Sequence, residues 1–368
     1  MIRFIALSGF LGAGKTTTLI TAAKLLEQQQ RRVAVVTNDQ GVDLVDTKLA
    51  RSSLDSVAEV TGGCFCCRFE DLMAVVNELI ETKTADTVIA EAVGSCTDLQ
   101  ATVVRPLRKY YANEFSVAPL TTVVDPHRLR AFARAAARGE PESDLSYLFG
   151  KQIAEAEVIA VNKTDLIGAE ETAAIVAALG EQNPAAVIVP YSARTGAGLA
   201  DLVRSWQAEA RWGGDLGVDY DRYAAAEAQL AWLNLTFTLS AAESSGFVPA
   251  RWAHAALGKL AEIAEADHVE IGHAKLVIDT SEGMTKMSLA GTGAEPTVDV
   301  AIAAPAQHGT AVVNARVACE PKILDKAVRE AAAHADRVAG ACSEIVDGTV
   351  SFKPSYPRPV HRLTAAEM

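Results

Sequence analysis

The chain contains 368 residues, 49% of them hydrophobic and 22% charged, which describes a folded protein long enough for two domains. Its formal net charge of −12 would repel phosphate backbones, and no run of Lys or Arg counters it, so we expect no nucleic-acid partner. No apolar stretch approaches the roughly 18 residues that span a bilayer, so we expect no membrane partner either.

The N-terminal residues are apolar and lead directly into glycines, without the small-residue cleavage site of a signal peptide. We interpret them as a first strand and expect a cytoplasmic protein. Because thiols stay reduced in the cytoplasm, the six cysteines favour metal binding or reactivity over a disulfide framework.

Short apolar runs rich in Val and Ile alternate with helical stretches through the first part of the chain. They are apolar on both faces, which is typical of strands buried in a parallel sheet. The predicted strands are 2–8, 32–37, 86–91, 120–125, 157–162 and 186–192. The pattern predicts an α/β fold with a doubly wound, mostly parallel sheet, in which ligands bind at the carboxyl ends of the strands.

A phosphate-binding pattern follows the first strand. Residues 9–18, GFLGAGKTTT, contain the P-loop spacing Gly-x-x-x-x-Gly-Lys-Thr and open a helix predicted over 15–30. Glycines let backbone N–H groups approach phosphates, Lys15 reaches the β- and γ-phosphates, and the Thr16 hydroxyl ligates Mg²⁺. The predicted nucleotide contacts here are Gly9, Gly12, Ala13, Gly14, Lys15, Thr16 and Thr17.

Three cysteines, Cys64, Cys66 and Cys67, lie in the stretch TGGCFCCRFED (61–71), just before a helix predicted over 69–83. The helix N-terminus and the neighbouring Arg68 should favour thiolates, the form that ligates metal. Soft sulfur ligands suit Zn²⁺ or Co²⁺ rather than Mg²⁺, so this stretch predicts a transition-metal site. A redox switch, or packing of the cysteines as small apolar side chains, are the competing interpretations.

Three sulfurs leave one tetrahedral position for a fourth ligand. Asp39, Glu91 and Cys96 are candidates, because each lies at or just beyond the carboxyl end of a predicted strand. Water or a nucleotide-linked group competes with them, and the sequence does not decide.

Glu91 and Gly94 form a Glu-x-x-Gly pattern at the end of the predicted strand 86–91. In most GTPases an Asp-x-x-Gly pattern holds Mg²⁺ through water and senses the γ-phosphate through the glycine N–H, and we predict that role here. No glutamine follows Gly94, so we expect slow intrinsic hydrolysis. The predicted catalytic set is Lys15, Thr16, Glu91 and Gly94, and the predicted oxygen ligands for metal are Thr16, Asp39 and Glu91.

The predicted strand 157–162 runs into Asn162-Lys163-Thr164-Asp165, a guanine-recognition pattern. Asp165 can accept hydrogen bonds from guanine N1–H and N2–H, whereas adenine would leave the carboxylate unpaired. The Lys163 stem can lie over the purine ring, and Ser192-Ala193-Arg194 resembles the GTPase loop whose backbone N–H meets guanine O6. The predicted base contacts are Asn162, Lys163, Asp165, Ser192, Ala193 and Arg194.

Composition changes after residue 205, where periodicity is lost. We predict a P-loop GTPase domain over 1–205, a linker over 206–230, a smaller α+β domain with an antiparallel sheet over 231–345, and an extended, proline-containing tail over 346–368. The histidines and cysteines of the smaller domain show no ligand spacing. We therefore expect that domain to recognise a client or to cap the metal loop.

Together, the P-loop, the Glu-x-x-Gly and Asn-Lys-x-Asp patterns and the Cys-x-Cys-Cys loop after two glycines resemble the CobW-type P-loop GTPases. This family is related to the nickel-insertion GTPases of hydrogenase and urease maturation, and the resemblance covers about residues 1–205. It implies binding of GTP, GDP and Mg²⁺, and a transition metal, often zinc or cobalt, on the three cysteines. The implied client is a metalloenzyme or a protein of the cobalamin pathway, and a homodimer is implied by the resemblance alone.

The leading hypothesis is a GTP-hydrolysing metallochaperone that delivers a metal or metal cofactor to a client protein. The alternatives are a GTPase switch that guards a cobalamin or corrinoid enzyme without carrying metal, and a P-loop small-molecule kinase. Because the cysteines lie where GTPase switch segments lie, we predict that GTP and metal raise each other's affinity by the same factor.

Overall fold

The computed structural model describes residues 1–38, 50–51, 53–54, 56–60, 63–82, 84–209, 214–346 and 350–368. By their contacts these residues fall into two units. The first comprises the described residues up to Ala226 together with the C-terminal segment Tyr356–Met368, and the second comprises those of Glu227–Ser355. Among the described helices, none is both long enough and apolar enough to cross a membrane.

The first unit is built on one sheet, whose described strands all pair in parallel. They are β1 (Ile2–Ser8), β2 (Val33–Asn38), β3 (Val57–Val60), β4 (Thr87–Glu91), β5 (Phe115–Val117), β6 (Thr121–Val124), β7 (Val158–Val161) and β8 (Val187–Pro190). Their order across the sheet is β3-β2-β4-β1-β6-β7-β8, with β5 paired to β1 at one end. The central strands are buried along their whole length, so the predicted α/β fold with a mostly parallel sheet is confirmed.

Helices connect these strands. Those described are α1 (Lys15–Gln28), α2 (Phe69–Glu81), α3 (Arg105–Tyr110), α4 (Pro126–Ala137), α5 (Asp144–Glu155), α6 (Ala169–Gln182), α7 (Leu199–Ser205) and α8 (Tyr220–Gln229). A π-helical turn, Gln100–Val104, leads into α3, and short 3-10 turns cover Thr164–Leu166 and Ala365–Glu367. Apolar residues of α1 and α2, including Leu19 and Phe69, are fully buried, as the helical spacing of the sequence predicts.

The second unit is an antiparallel sheet with an apolar core. Its described strands and helices are β9 (Ala231–Ala241), α9 (Pro249–Ala266), β10 (Ile271–Thr280), β11 (Gly283–Leu289), β12 (Thr297–Val300), β13 (His308–Val317), α10 (Pro321–Ala339), β14 (Ala341–Ile345) and β15 (Val350–Phe352). The strand order is β12-β11-β10-β13-β9-β14, with β15 also paired to β9. Both helices contribute to the core, for example through Trp252 and Leu324, so the separate antiparallel α+β unit is also confirmed.

Two segments differ from the sequence prediction. The stretch 206–230 is predicted as a linker, but it contains α8, and its residues up to Ala226 belong to the first unit. The tail has no regular secondary structure over 353–359, and Tyr356–Met368 belongs to the first unit. Long-range hydrogen bonds hold this C-terminal segment on the first unit, and no local sequence pattern predicts such bonds.

Candidate nucleotide and metal site

The phosphate loop, residues 9–16, connects β1 to α1 and needs glycine at two positions. Gly9 has φ 134°, and a Cβ there would lie 2.2 Å from the carbonyl oxygen of Val123. Gly14 has φ 93°, and a Cβ would lie 2.4 Å from Asn162 Nδ2. Side chains are excluded at both positions, so the backbone can curl closely and aim its N–H groups inward.

Lys15 and Thr16 begin α1 with their side chains buried, and Thr17 follows in the same turn. The Lys15 Nζ donates to the carbonyl oxygen of Gly9 at 2.8 Å, so the ammonium lies over its own loop. The helix N-terminus adds partial positive charge at the same point. The loop therefore concentrates donors and positive charge as a triphosphate requires.

Thr16 and Glu91 bring two oxygen donors together beside this loop. The Thr16 hydroxyl donates to Glu91 Oε1 at 3.0 Å, although the residues are 75 positions apart. The sheet causes this contact, because β4 pairs with β1 and sets Glu91 opposite Leu7 just before the phosphate loop. A hydroxyl and a carboxylate are hard ligands, so this pair fits Mg²⁺. Asp39, the third predicted oxygen ligand, lies outside the described residues.

The Asn-Lys-x-Asp pattern ties the phosphate loop to the predicted base loop. Asn162 Nδ2 donates to the Ala13 carbonyl oxygen and its Oδ1 accepts from the Ala193 N–H, each at 2.9 Å. Lys163, in the left-handed region with φ 61°, donates through Nζ to the Gly12 carbonyl oxygen at 2.8 Å. These bonds place the ends of β7 and β8 beside the phosphate loop.

Asp165 accepts a hydrogen bond from Ser192 Oγ at 2.7 Å and pairs with the Arg194 guanidinium at 2.6 Å. The predicted base contacts therefore lie together at one place. Sequence reasoning missed Asp125, which forms an ion pair with Lys163. The sequence did contain a feature that could have identified Asp125, because this residue directly follows a buried parallel strand, β6.

The cysteine loop, residues 63–68, is held by Asn38 at the end of β2. Asn38 Nδ2 donates to the carbonyl oxygens of Gly63 at 2.7 Å and Val60 at 3.0 Å, and Asn38 Oδ1 accepts from the Phe65 N–H at 3.0 Å. Within the loop, the N–H groups of Cys67 and Arg68 both donate to the Cys64 carbonyl oxygen at 2.9 Å. One buried amide thus fixes the backbone on both sides of Cys64, a role the sequence did not reveal.

The three thiols converge, and each can offer one sulfur ligand. Cys64, Cys66 and Cys67 have sulfurs within 4.8 Å of one another, and all six cysteines of the chain are free thiols. The Cys66 and Cys67 sulfurs are 3.8 Å apart, which matches the ~3.8 Å edge of a tetrahedron with ~2.3 Å Zn–S bonds. Cys64 and Cys66 are 2.7 Å apart and would separate by about 1 Å around an ion.

The expectation that these thiols are predisposed to ionise is wrong for the metal-free loop. Hydrogen bonds from Cys66 and Cys67 lower the pKa of Cys64, but contact with Cys96 and burial outweigh them and the net shift is upward. Contact with Cys64 raises the pKa of Cys67 to about 11, and contact with Cys64 also raises the pKa of Cys66. Arg68, which was expected to favour the thiolate form of these cysteines, is instead paired with Asp71. A metal ion must therefore displace protons as it binds.

The switch segment, residues 91–96, runs from the phosphate loop to the cysteine loop and is buried throughout. At its start Glu91 contacts Thr16; in its middle Gly94 lies so close to Leu11 that a Cβ would be 2.6 Å from Leu11 Cδ2. At its end Cys96 contacts Cys64 and Cys66. Gln152 on α5 was not predicted, but it donates to the carbonyl oxygens of Gly94 at 3.0 Å and Cys96 at 2.8 Å.

The C-terminal segment, residues 356–368, lies against the cysteine loop. The Arg358 N–H donates to Cys67 Sγ at 3.2 Å, and the Val360 N–H donates to the Cys66 carbonyl oxygen at 2.8 Å. Farther along, Arg362 Nε donates to Asp98 Oδ2 at 2.8 Å, just beyond the switch segment. Sequence reasoning missed these contacts, since nothing in a proline-containing tail predicts where it packs.

A family model for the CobW/HypB/UreG nucleotide-binding domain matches residues 3–190. "Zinc chaperone CobW" of Pseudomonas aeruginosa is 30% identical over 215 residues, 51% of this chain and 55% of that protein. "Zinc chaperone CobW" of Sinorhizobium sp is 30% identical over 195 residues, 46% of this chain and 52% of that protein.

"Zinc-regulated GTPase metalloprotein activator 1" of Dictyostelium discoideum is 27% identical over 240 residues, 54% of this chain and 49% of that protein. The chain thus spans about half the length of these relatives. The match over 3–190 covers half of this chain, and it includes the phosphate loop, the cysteine loop and the switch segment. By that match the chain belongs to the CobW/HypB/UreG family.

Proposed function

We propose that the chain is a GTP-hydrolysing metallochaperone. It binds a transition metal, zinc or cobalt, as cargo on Cys64, Cys66 and Cys67, and its nucleotide state governs when the metal passes to a client. Family membership and the zinc-related names of the relatives support the class of function. The contacts of the switch segment support the coupling.

The nucleotide half of this proposal uses the phosphate loop and the Asn-Lys-x-Asp residues. Lys15 moves from the Gly9 carbonyl oxygen to the β- and γ-phosphates, while Asp165, held by Ser192, selects guanine. Thr16 and Glu91 would hold Mg²⁺, which neutralises charge on the phosphates. Gly94, packed against Leu11 of the phosphate loop, is positioned for its N–H to sense the γ-phosphate.

The metal half uses the three converging sulfurs. Since each thiol is protonated before the metal arrives, binding releases protons and the captured ion neutralises the resulting thiolates. The sulfur ligands favour zinc or cobalt over magnesium, so the transition metal and Mg²⁺ bind at different sites.

One observation carries the coupling: the switch segment contacts the Mg²⁺ ligand Thr16 at Glu91 and the sulfur cluster at Cys96. Loss of the γ-phosphate would release Gly94 and shift a segment that touches the metal site. A ligand that prefers one arrangement of the segment favours the other ligand by the same factor.

The client in this proposal is a metalloenzyme or a protein of the cobalamin pathway, and it completes a slow active site, because Ser95 rather than glutamine follows Gly94. The cycle operates in the cytoplasm, where the thiols stay reduced. A homodimer is part of the proposal by family resemblance alone, and analytical ultracentrifugation tests it.

The deciding experiment measures metal binding under anaerobic conditions with zinc and cobalt, in the presence of GDP or a non-hydrolysable GTP analogue. We expect one metal per chain, tighter binding with the GTP analogue, and loss of binding in Cys66→Ala. Cys342→Ala is the matched control, because Cys342 is exposed and lies on β14 of the second unit.

Equal metal affinities in the two nucleotide states would contradict the coupling while leaving metal carriage intact. A chain that binds and hydrolyses GTP but retains no metal would instead favour the guarding switch. Phosphate transfer to an added small-molecule acceptor would favour the kinase.

A further inference from the structure

The C-terminal segment is bonded to the cysteine loop through its backbone. The Arg358 N–H donates to Cys67 Sγ at 3.2 Å, and the Val360 N–H donates to the Cys66 carbonyl oxygen at 2.8 Å. These two donors are alternate residues of a stretch without regular secondary structure, 358–363, which we call the strap. The strap thus runs along the last two thiols of the loop.

The strap meets the sulfur cluster on its open side. Cys64 and Cys66 are buried, with 5% and 2% of their surface exposed, whereas Cys67 is partly exposed. An ion that enters or leaves the three sulfurs therefore passes Cys67. Among the described contacts of the Cys67 sulfur, the one from outside the cysteine loop is the Arg358 N–H. The strap consequently lies where metal is exchanged.

The other end of the strap is bonded next to the switch segment. Arg362 Nε donates to Asp98 Oδ2 at 2.8 Å, and the Leu363 N–H donates to the Ala101 carbonyl oxygen at 2.9 Å. Only one residue separates Asp98 from the end of the switch segment, 91–96, and Asp98 is 3% exposed. A displacement at the end of the switch segment therefore reaches this anchor with little slack.

The strap is too short to absorb such a displacement. Val360 and Arg362 are two positions apart, and an extended chain covers at most about 3.6 Å per residue, so their backbones can separate by about 7 Å. The Asp98 end is the firmer one, because Arg105 Nη1 also donates to the Leu363 carbonyl oxygen at 2.7 Å and two of its bonds are charge-assisted. The bonds to the cysteine loop should therefore break first.

We propose that the strap gates metal exchange at Cys67. It closes over the sulfur cluster in the GTP-bound state, and it is pulled from the cysteine loop when the switch segment shifts after hydrolysis. A client then receives the metal at the sulfur that the strap uncovers. This inference rests on the proposed function, since it takes the three thiols as the cargo site.

The first test measures hydrogen exchange of residues 358–363 in the wild-type chain by mass spectrometry, without metal. The N–H groups of Arg358, Val360 and Leu363 are bonded, so exchange should be slow with the GTP analogue. With GDP it should be roughly tenfold faster or more, because the strap is released from the cysteine loop. Equal exchange in the two nucleotide states would overturn the gate, and neither result depends on metal carriage.

The second test measures the rates of zinc association and zinc release by stopped-flow with a fluorescent chelator, with the GTP analogue bound. Arg362→Ala removes the charged bond to Asp98 and keeps every backbone N–H of the strap. Both rates should rise roughly three- to tenfold, as expected for loss of one partly exposed charged hydrogen bond. Lys353→Ala is the matched control and should match wild type, because Lys353 pairs with Glu320 at 2.7 Å in the second unit.

A gate slows entry and exit alike, which separates it from a residue that only stabilises the bound ion. Faster release with unchanged association in Arg362→Ala would therefore overturn the gate and leave the proposed function standing. Rates that match wild type would overturn it as well. Arg362→Lys should restore part of the slow exchange, since lysine keeps a charge beside Asp98.

Binding of the GTP analogue verifies that each variant is folded. A wild-type chain that binds no zinc would overturn both the gate and the proposed function, whereas zinc binding with nucleotide-independent hydrogen exchange would overturn the gate alone.

Discussion

The phosphate loop and the cysteine loop lie at the same edge of one sheet, but they are constructed differently. The phosphate loop depends mainly on its own residues: Gly9 and Gly14 allow its path, and Lys15 bonds back to it. The cysteine loop depends on distant partners, namely Asn38, Cys96 and Arg358. A short sequence motif is thus enough to specify the phosphate site, whereas this metal site depends on contacts formed by the tertiary structure.

Replacing Lys15 should produce the largest effect and should separate the two loops. In Lys15→Ala we expect GTP hydrolysis to fall roughly 10²–10³-fold, the usual cost of removing one aimed donor from a transition state. Zinc binding without nucleotide should be unchanged, because the Lys15 ammonium bonds within the phosphate loop. Steady-state GTP turnover measures the loss of hydrolysis, and zinc competition measures zinc affinity without nucleotide.

Lys24→Ala is the matched control for Lys15→Ala, since Lys24 is exposed on the same helix. A Lys15→Ala chain that loses nucleotide-free zinc binding would show that the two loops are not independently built.

Replacing Arg358 should produce an intermediate effect, because it tests a distant partner of the cysteine loop. Arg358→Pro removes the N–H that donates to Cys67 Sγ, between Pro357 and Pro359 in a segment without regular secondary structure. A hydrogen bond to a charged group is worth about 1.5–3 kcal/mol, so zinc affinity should fall roughly 10- to 150-fold. Zinc competition measures the change.

Arg358→Ala is the control, because it removes the exposed side chain and keeps the N–H. If both variants bind zinc as wild type does, the C-terminal segment has no part in the metal site. If both weaken it equally, the guanidinium rather than the N–H is responsible.

The last prediction concerns the pH dependence of stability and Glu155, which supports the segment after the switch. It accepts hydrogen bonds from the Gln100 N–H at 3.2 Å and the Thr97 hydroxyl at 3.4 Å, and burial raises its pKa from 4.5 to about 8. Below about pH 4.5 both folded and unfolded chains carry the proton, and the contribution to stability is complete. Between these pKa values only the folded chain carries it, so stability falls by about 1.4 kcal/mol per pH unit.

Glu155→Gln should remove that slope while keeping an acceptor for the Gln100 N–H. Urea unfolding between pH 5.5 and 7.5 measures it, with Glu170→Gln on the exposed face of α6 as control. An unchanged slope in Glu155→Gln would assign the pH dependence to other groups.

Much of the fold could be predicted, because each prediction rested on local chemistry. Most strands of the parallel sheet were visible as short apolar runs, and the smaller domain with an antiparallel sheet was also predicted. The short strands β3 and β5 were not predicted, because only neighbouring strands define them as part of the sheet. α8 was missed within a stretch that shows little periodicity.

The candidate site divides in the same way. The residues of the phosphate loop, the Asn-Lys-x-Asp pattern and the three clustered cysteines were all named from their spacing. The ionisation of the thiols was predicted in the wrong direction, because burial and neighbouring thiols cannot be judged from a helix N-terminus and one arginine. Asn38, Gln152 and Asp125 were missed as supporting residues, since each acts across the sheet.

The sequence by itself determined the parallel sheet, the phosphate loop and the presence of a thiol-rich loop, because glycine conformations, apolar periodicity and sulfur spacing act over a few residues. Only the tertiary structure decided that Glu91 contacts Thr16, that Gln152 holds the switch segment, and that Arg358 reaches Cys67. These contacts join positions tens to hundreds of residues apart. Strand order and chain packing create them, and neither is encoded in a local motif.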